Sequence, residues 1–254
     1  MFANERYDII LSMLKTQRSV TVSDLMERFG VSIETVRRDL AELERRGALE
    51  RVHGGAVASR DGMRGLNPLS ERMTENQELK RELSLKAAGL IKEGDVIAVD
   101  AGSTAVEFVK VLCDKFERLT IVTYSRDVMD GIDGKESFRL VFTGGDYMPS
   151  ERVFCGFLTV ESLKKLHVSK SFIFPSAVSS KYGVTINKSE FYELQRALMS
   201  IADHSYMLAD STKFEGASPV RVCGIDEVDA IVTDSGLDDM TLQLYSDKQA
   251  TVVK

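Results

Sequence analysis

Residues 21–47 read TVSDLMERFGVSIETVRRDLAELERRG and contain two short helical patterns joined by a turn at Gly30. Thr21 or Ser23 can cap the first helix, and Ser32 can cap the second, which ends at Gly47. The apolar residues of the two helices recur with helical spacing: Leu25, Met26 and Phe29, then Val36, Leu40 and Leu43. This pattern predicts a helix-turn-helix.

The sequence on either side completes a small domain. Residues 4–16 carry a helical apolar stripe that includes Ile10 and Leu14. Beyond the second helix, the apolar runs 49–52 and 56–58 flank the tight turn His53-Gly54-Gly55, which predicts a β-hairpin. We therefore expect a winged helix-turn-helix domain over residues 1–58.

The helix that follows Ser32 has a polar face suited to DNA. With Val36 at the centre of the buried stripe and about 100° per residue, the exposed residues near its start are Ser32, Glu34, Thr35, Arg37 and Arg38. Arginine can grip guanine in the major groove, and Arg51 and His53 of the hairpin are placed to follow the DNA backbone as a wing. A winged helix that contacts a protein instead is the alternative.

The whole N-terminal pattern resembles the DNA-binding signature of the DeoR-type family of bacterial transcription regulators. The matching residues are Arg6, Ile10, Leu14, Ser32, Thr35, Val36, Arg37, Arg38, Asp39, Leu40 and the run His53-Gly54-Gly55-Ala56. The resemblance implies that this domain binds a specific operator duplex. We expect Asp39 to pair with a nearby arginine and to position it, without touching DNA.

Composition places the chain among cytoplasmic globular proteins. Its 254 residues are 43% hydrophobic and 28% charged, with three widely spaced cysteines that we expect to be reduced, Cys113, Cys155 and Cys223. The start MFANERYDII lacks the apolar core of a signal peptide, and no run approaches the ~18 apolar residues of a membrane helix. The net charge is −6, yet residues 1–60 hold nine arginines and one lysine against nine acidic residues.

The remainder predicts a linker and a larger α/β domain. Residues 59–75 begin with the Gly- and Pro-containing stretch SRDGMRGLNPLS, typical of a linker, and the second domain is expected over 76–254. From a helix at 76–92 onward, short β-branched runs alternate with helical stretches, which favours a mainly parallel sheet. The expected strands are 96–99, 119–123, 138–142, 170–174, 206–209, 230–233 and 251–253, and the expected helices are 104–115, 158–166, 188–202 and 238–246.

Several predicted strands end in polar or glycine-containing turns. Val96–Val99 runs into Asp100-Ala101-Gly102-Ser103-Thr104, where a helix begins and backbone N–H groups can bind an anion. Other turns of this kind contain Tyr124, the pair Gly144 and Gly145, and the pair Asp210 and Lys213. Because ligands of open α/β sheets bind at the carboxyl ends of the strands, these segments could converge on one crevice.

Their order resembles the effector domain of the same family, whose fold is similar to ribose-5-phosphate isomerase and whose ligands are mostly phosphorylated sugars. The resemblance implies that Asp100 takes sugar hydroxyls, that Gly102, Ser103 and Thr104 take the phosphate, and that Lys213 takes a charged or hydroxyl group. Tyr124, Gly144, Gly145 and Asp210 complete the implied effector site.

The sequence departs from the family pattern at four places. Tyr124 replaces the usual asparagine, Gln195 replaces a lysine, and Glu215 replaces a glycine. The turn Phe174-Pro175-Ser176 replaces one that contains glycine. These changes predict an effector site less cationic than the family pattern.

These observations favour a ligand-responsive transcription regulator, most often a repressor in this family. No P-loop or dinucleotide-binding motif occurs, so nucleotide hydrolysis and a dinucleotide site have no support. For a regulator of this kind we expect no cofactor, no metal and no catalysis. The alternatives are a sugar-phosphate isomerase, with Asp100 and Lys213 as its acid and base groups, and an architectural DNA-binding protein. One winged helix reads few bases, so we expect a homo-oligomer, a dimer or higher.

Overall fold

The computed structural model of the chain describes residues 3–17, 19–45, 49–52, 54–58, 67–248 and 250–254. These residues belong to two compact units, Met1–Leu66 and Asn67–Lys254. Within the described residues, no helix combines the length and apolar character that a bilayer crossing requires.

The N-terminal unit is a winged helix-turn-helix, as predicted. Its elements are α1 (Ala3–Gln17), β1 (Ser19–Thr21), α2 (Val22–Phe29), α3 (Ile33–Arg45), β2 (Leu49–Val52) and β3 (Gly55–Ala58). The helices enclose a core that contains the predicted apolar residues Ile10, Leu14, Leu25, Val36, Leu40 and Leu43. Gly30 has φ +63° after α2, a left-handed conformation that glycine adopts without strain.

The sequence did not predict β1, which has only three residues. This strand pairs antiparallel with β3, so the hairpin becomes a three-stranded sheet in the order β1-β3-β2. Gly55 makes the close approach possible, because a Cβ at this position would lie 2.1 Å from the carbonyl oxygen of Val20. The sheet therefore ties the wing to the segment that enters α2.

The prediction of a linker over residues 59–75 is wrong for the residues that form a helix, 69–74. Residues 69–74 of the stretch 59–75 form α4 (Leu69–Thr74), which begins after Pro68 and buries Leu69. Glu71 in its first turn and Arg72 in its last turn both have the sign that the helix dipole favours. Residues 59–66 lie outside the described part of the chain.

The C-terminal unit is the predicted parallel α/β domain. Its helices are α4, α5 (Gln77–Ala88), α6 (Ser103–Lys115), α7 (Arg126–Gly131), α8 (Phe157–Leu163), α9 (Glu190–Ser200) and α10 (Asp239–Ser246). Its strands are β4 (Val96–Val99), β5 (Thr120–Thr123), β6 (Arg139–Phe142), β7 (Asp146–Met148), β8 (Val153–Cys155), β9 (Val168–Ile173), β10 (Ala177–Ser179), β11 (Gly183–Ile186), β12 (Ala202–Leu208), β13 (Val220–Cys223), β14 (Ala230–Val232) and β15 (Val252–Val253). The strands β7, β8, β10, β11 and β13 and the helix α7 were not predicted.

Seven of the strands form the central sheet, in the order β15-β14-β12-β9-β4-β5-β6, with every neighbour parallel. Alternate residues point to opposite faces, so Ala98 and Ile173 join one core while Ile97 and Phe172 join the other. The chain moves outward in one direction from β4 to β6, returns to β9 beside β4, and then moves outward in the other direction. This reversal creates a topological switch point between β4 and β9, where α/β sheets bind ligands.

Candidate functional site

The start of α3 presents the polar face that the sequence predicts. The Ser32 hydroxyl accepts a hydrogen bond from the backbone N–H of Thr35 at 3.3 Å and so caps the helix. Glu34, Arg37 and Arg38 are exposed and Thr35 is partly buried, while the opposite face fills the core. The geometry leaves both arginines available to a DNA groove.

Asp39 pairs with an arginine, as predicted, and its partner comes from α1. The Arg6 guanidinium donates to both carboxylate oxygens of Asp39, at 2.6 and 3.0 Å. The side chains are only 11% and 4% exposed, and the hydrogen bond to Asp39 raises the pKa of Arg6. This two-point contact fixes α3 against α1 and leaves the neighbouring Arg38 free of that task.

The wing also contacts α3. The backbone N–H of Arg51 donates to the Glu44 carboxylate at 3.1 Å, and its guanidinium lies 3.7 Å from the same group. The Arg51 side chain is still exposed, so it can reach a phosphate. His53, the other predicted wing contact, lies outside the described residues.

In the C-terminal unit, hydrogen bonds join the segments that follow β4, β5, β9 and β12 near the switch point, and Asp100 is enclosed there. Its carboxylate is 0% exposed and accepts hydrogen bonds from the Tyr124 hydroxyl, from the Gln195 amide at 2.8 Å and from the backbone N–H of Phe174 at 3.0 Å. Burial raises the pKa of Asp100 although these hydrogen bonds oppose the shift. The expectation that Asp100 takes sugar hydroxyls directly is therefore wrong for this conformation, because protein donors already occupy the carboxylate.

The same cluster explains two departures from the family pattern. Tyr124 and Gln195 both place their polar atoms on Asp100, and Tyr124 is fully buried. Burial raises the pKa of Tyr124 well above its ordinary value, and the adjacent Asp100 adds to the shift. Tyr124, predicted as an effector contact, instead links the ends of β4 and β5.

The backbone at Glu215, the third departure, explains why the family pattern has glycine there. Its φ is +53°, a left-handed conformation that favours glycine, the residue of the family pattern. The Glu215 carboxylate accepts hydrogen bonds from the backbone N–H and the hydroxyl of Ser180, at 2.9 and 3.0 Å. The charge of Glu215 is thus engaged by this turn.

The loop that begins α6 retains the features of an anion site. Gly102 has φ +125°, and no heavy atom lies within 4 Å of the position that a Cβ would take. No side chain caps this helix, so its first N–H groups and the positive end of its dipole can receive an anion. Ser103 and Thr104 are both buried in the first turn.

The two glycines that follow β6 differ. A Cβ on Gly144 would meet nothing within 4 Å, so this backbone is open to a ligand. A Cβ on Gly145 would lie 2.1 Å from the Thr159 hydroxyl and 2.5 Å from the carbonyl of Cys155. Gly145, predicted as an effector contact, is thus required by packing against α8 and β8.

Asp210 and Lys213 lie beyond the end of β12. Asp210 is buried and accepts hydrogen bonds from the backbone N–H and the hydroxyl of Thr212, which shapes the turn. The Lys213 ammonium donates to the carbonyl of Pro175 at 2.9 Å and so joins the ends of β12 and β9. Burial lowers the pKa of Lys213, with repulsion from Arg72, while Asp210 and Asp100 oppose the shift.

Sequence reasoning missed two further cations of this site, Arg72 and Lys80. The Lys80 ammonium is buried and donates to the carbonyls of Arg72 and Glu75, each at 2.5 Å. Burial lowers the pKa of Lys80 to about 8, and repulsion from Lys213 and Arg72 adds to the shift. We use the name cation cluster for Arg72, Lys80 and Lys213.

A signal for Lys80 was present in the sequence. It lies on the buried face of α5 with Leu83, Ser84 and Ala87, at a spacing where an apolar residue is usual. Arg72 gave no such signal, because it falls in the stretch assigned to the linker. The positive side chains of the cation cluster come from α4, α5 and the turn after β12, and they act on one another here.

Two family models match the sequence. The DeoR-like helix-turn-helix domain matches residues 6–61, and the DeoR C terminal sensor domain matches residues 75–235. The uncharacterized HTH-type transcriptional regulator YulB of Bacillus subtilis is 31% identical over 252 residues, 99% of this chain and 96% of that protein. The L-fucose operon activator of Haemophilus influenzae is 31% identical over 96% of this chain and 97% of its own length. The lactose phosphotransferase system repressor of Lactococcus lactis is 29% identical over 100% of this chain and 99% of its own length.

Solved structures share the fold at low identity. A chain of the tetrameric eIF2B-beta2-delta2 complex from C. thermophilum matches 96% of this chain and 87% of its own, with a TM-score of 0.51 and 13% identity. Ribose 5-phosphate isomerase A from Methanocaldococcus jannaschii matches 55% of each chain, with a TM-score of 0.40 and 19% identity. The first likeness shows the fold alone.

Proposed function

The chain belongs to the DeoR family of transcription regulators, and from this membership we propose that α3 reads operator DNA while the cation cluster binds a phosphorylated sugar. Binding of the sugar changes the affinity for the operator. The regulated genes belong to carbohydrate metabolism, in line with relatives named for an L-fucose operon and a lactose phosphotransferase system. Repression is the proposed output, and the site of action is the cytoplasm, where bacterial DNA lies.

The DNA-binding proposal concerns the face formed by Ser32, Glu34, Thr35, Arg37 and Arg38, together with Arg51 and His53 of the wing. The exposure of Arg37 and Arg38 next to a capped helix start supports it. Specific reading by so small a domain requires two copies at a fixed spacing, so we propose a homo-oligomer, a dimer or higher. Light scattering that finds a monomer at micromolar concentration, with and without operator, would exclude this assembly.

One observation carries the effector proposal: positive side chains from separate elements act on one another near the switch point, and one of them, Lys213, also interacts with Asp100, just before the uncapped start of α6. Arg72, Lys80 and Lys213 supply the positive side chains, and Gly102 and Gly144 leave backbone open to a ligand. A phosphate accepts hydrogen bonds from arginine and from helix N–H groups. Ser103, Thr104 and Asp210 complete the proposed site, and the sugar hydroxyls face the polar turns.

A paired ligand screen tests this proposal. The thermal midpoint of the full chain is measured with each sugar phosphate and with the same sugar lacking phosphate. A ligand at 100 times its Kd stabilises the folded state by about 2.7 kcal/mol, so a specific effector produces a clear rise. Arg72→Ala and Lys213→Ala should abolish that rise, and Lys164→Ala, an exposed lysine beyond α8, should keep it. Equal stabilisation by a sugar and its phosphate would refute the anion-binding role.

We propose that the protein is not an isomerase. An isomerase needs a general base within reach of the substrate, and the Asp100 carboxylate is enclosed by Tyr124, Gln195 and Phe174. NMR of the intact protein with candidate sugar phosphates should show no interconversion of isomers. Turnover that disappears in Asp100→Asn would overturn the regulator-only function.

A further inference from the structure

Glu151 is a buried carboxylate in a turn where solvent exposure would be usual. It lies between β7 and β8 and is only 7% exposed, although the preceding Pro149 and Ser150 are exposed. Its carboxylate pairs with the Arg72 guanidinium and, at 2.7 Å, with the Lys188 ammonium. One internal anion thus bridges the cation cluster and the segment that leads into α9.

The backbone of the turn directs Glu151 inward. Arg152 has φ +54°, a conformation that is uncommon for a residue with a side chain. Its guanidinium is held by Asp127 at 2.5 Å and by Asp130 at 2.6 Å, both on α7. The hairpin therefore has two ionic anchors, one outward to α7 and one inward to the cation cluster.

The inward anchor uses the same guanidinium that an anionic ligand needs. Arginine binds carboxylate and phosphate through the same planar fork, and a phosphate dianion brings more charge than a carboxylate. Both cannot occupy the same N–H groups of Arg72. The Arg72 Nη2 group donates to Glu151, and its Nε–H donates to the carbonyl of Asn67 at 3.0 Å. An external anion that takes the Nη2 group therefore displaces the Glu151 side chain and also releases Lys188.

We propose that Glu151 is an internal competitor of the effector's anionic group, which must displace it and thereby loosen the β7–β8 hairpin. This inference rests on the proposed function of the cation cluster. It accounts for a buried, fully paired carboxylate within a site whose other features attract anions. It also gives the sensor a movable element, the hairpin, whose position differs between the free and the bound protein.

Phosphate titration of three full-length proteins tests the competition. By calorimetry at low ionic strength, inorganic phosphate should bind Glu151→Gln roughly tenfold more tightly than the wild type. The matched control is Glu161→Gln, which removes the same charge from α8 and should bind like the wild type. Equal affinity of Glu151→Gln and the wild type would overturn the inference.

Hydrogen exchange of the wild type gives a readout that does not depend on any variant. Saturating phosphate should speed amide exchange of residues 146–155, because the hairpin loses its inward anchor. Unchanged or slower exchange in phosphate-bound wild type would overturn the inference.

The proposed function fails separately from this inference. If phosphate binds the wild type and Arg72→Ala abolishes that binding, the anion site stands whatever Glu151 does. If neither the wild type nor Glu151→Gln binds phosphate, the anion site itself is refuted and the inference falls with it.

Discussion

Removal of Asp39 should loosen α3, because its carboxylate pairs with Arg6 of α1. Asp39→Ala deletes two charge-assisted hydrogen bonds to Arg6, at 2.6 and 3.0 Å, between side chains that are nearly enclosed. Hydrogen bonds to charged groups contribute about 1.5–3 kcal/mol each. Arg6 can turn partly toward water and recover some hydration, so we expect a net loss of about 2–3 kcal/mol in the opening free energy of the N-terminal unit.

Amide hydrogen exchange of the intact chain measures this loss directly. At 1.36 kcal/mol per factor of ten, α3 and α1 peptides should exchange roughly 30- to 150-fold faster in Asp39→Ala. Glu27→Ala, which removes an exposed carboxylate from α2, serves as the matched control and should change little. Arg6→Ala combined with Asp39→Ala should cost no more than the larger single loss. An increase of less than about threefold in Asp39→Ala would refute the positioning role of the pair.

Three further predictions concern other parts of the molecule. Arg38→Ala should lose about 1–3 kcal/mol of operator affinity and relax the preference at one base pair. Arg51→Ala should instead reduce by about one the slope of log affinity against log salt concentration, measured by gel shifts at several salt concentrations. Unaltered binding by Arg38→Ala would place the DNA contact elsewhere. The depressed pKa of about 8 makes Lys80 neutral above that pH, so phosphate affinity should fall as the pH rises through about 8. A phosphate affinity that calorimetry finds constant from pH 6.5 to 9 would contradict a role for the Lys80 charge. Gly145→Ala should destabilise the folded chain by about 1–3 kcal/mol, because its Cβ would meet the Thr159 hydroxyl and the Cys155 carbonyl. Gly144→Ala, the control, should leave the melting temperature unchanged. Equal melting temperatures of the two variants would show that Gly145 is not required by packing.

The N-terminal domain could be predicted closely from the sequence because its signals are local. Helix periodicity, the caps at Ser32 and Gly30, and the glycine turn of the hairpin each operate within a few residues. The strand β1 escaped because three residues carry no period, and its pairing with β3 spans more than thirty residues. The partner of Asp39 escaped for the same reason, since Arg6 lies 33 residues away.

The sensor site could be predicted only as far as its edge of the sheet. Strand ends are visible in the sequence, and the segments after β4, β5, β9 and β12 do meet near the switch point between β4 and β9. Gly144 follows β6, the edge strand of the sheet, two strands from β4. Which side chains face a ligand depends on packing across that edge, and here Tyr124 and Gln195 enclose Asp100. Two cations, Arg72 and Lys80, come from helices that precede the sheet altogether, so no strand-end rule can find them.

The position of α4 bears on how ligand binding in the C-terminal unit can affect the N-terminal unit. Arg72 lies six residues beyond Leu66, where the first unit ends. A ligand that binds Arg72 would therefore contact the segment that follows directly on the DNA-binding unit. If the proposed effector binds Arg72, the covalent connection between the two units can pass on its effect. The turns proposed to surround the sugar are separate from this connection, so they can diverge toward new ligands while the connection stays the same.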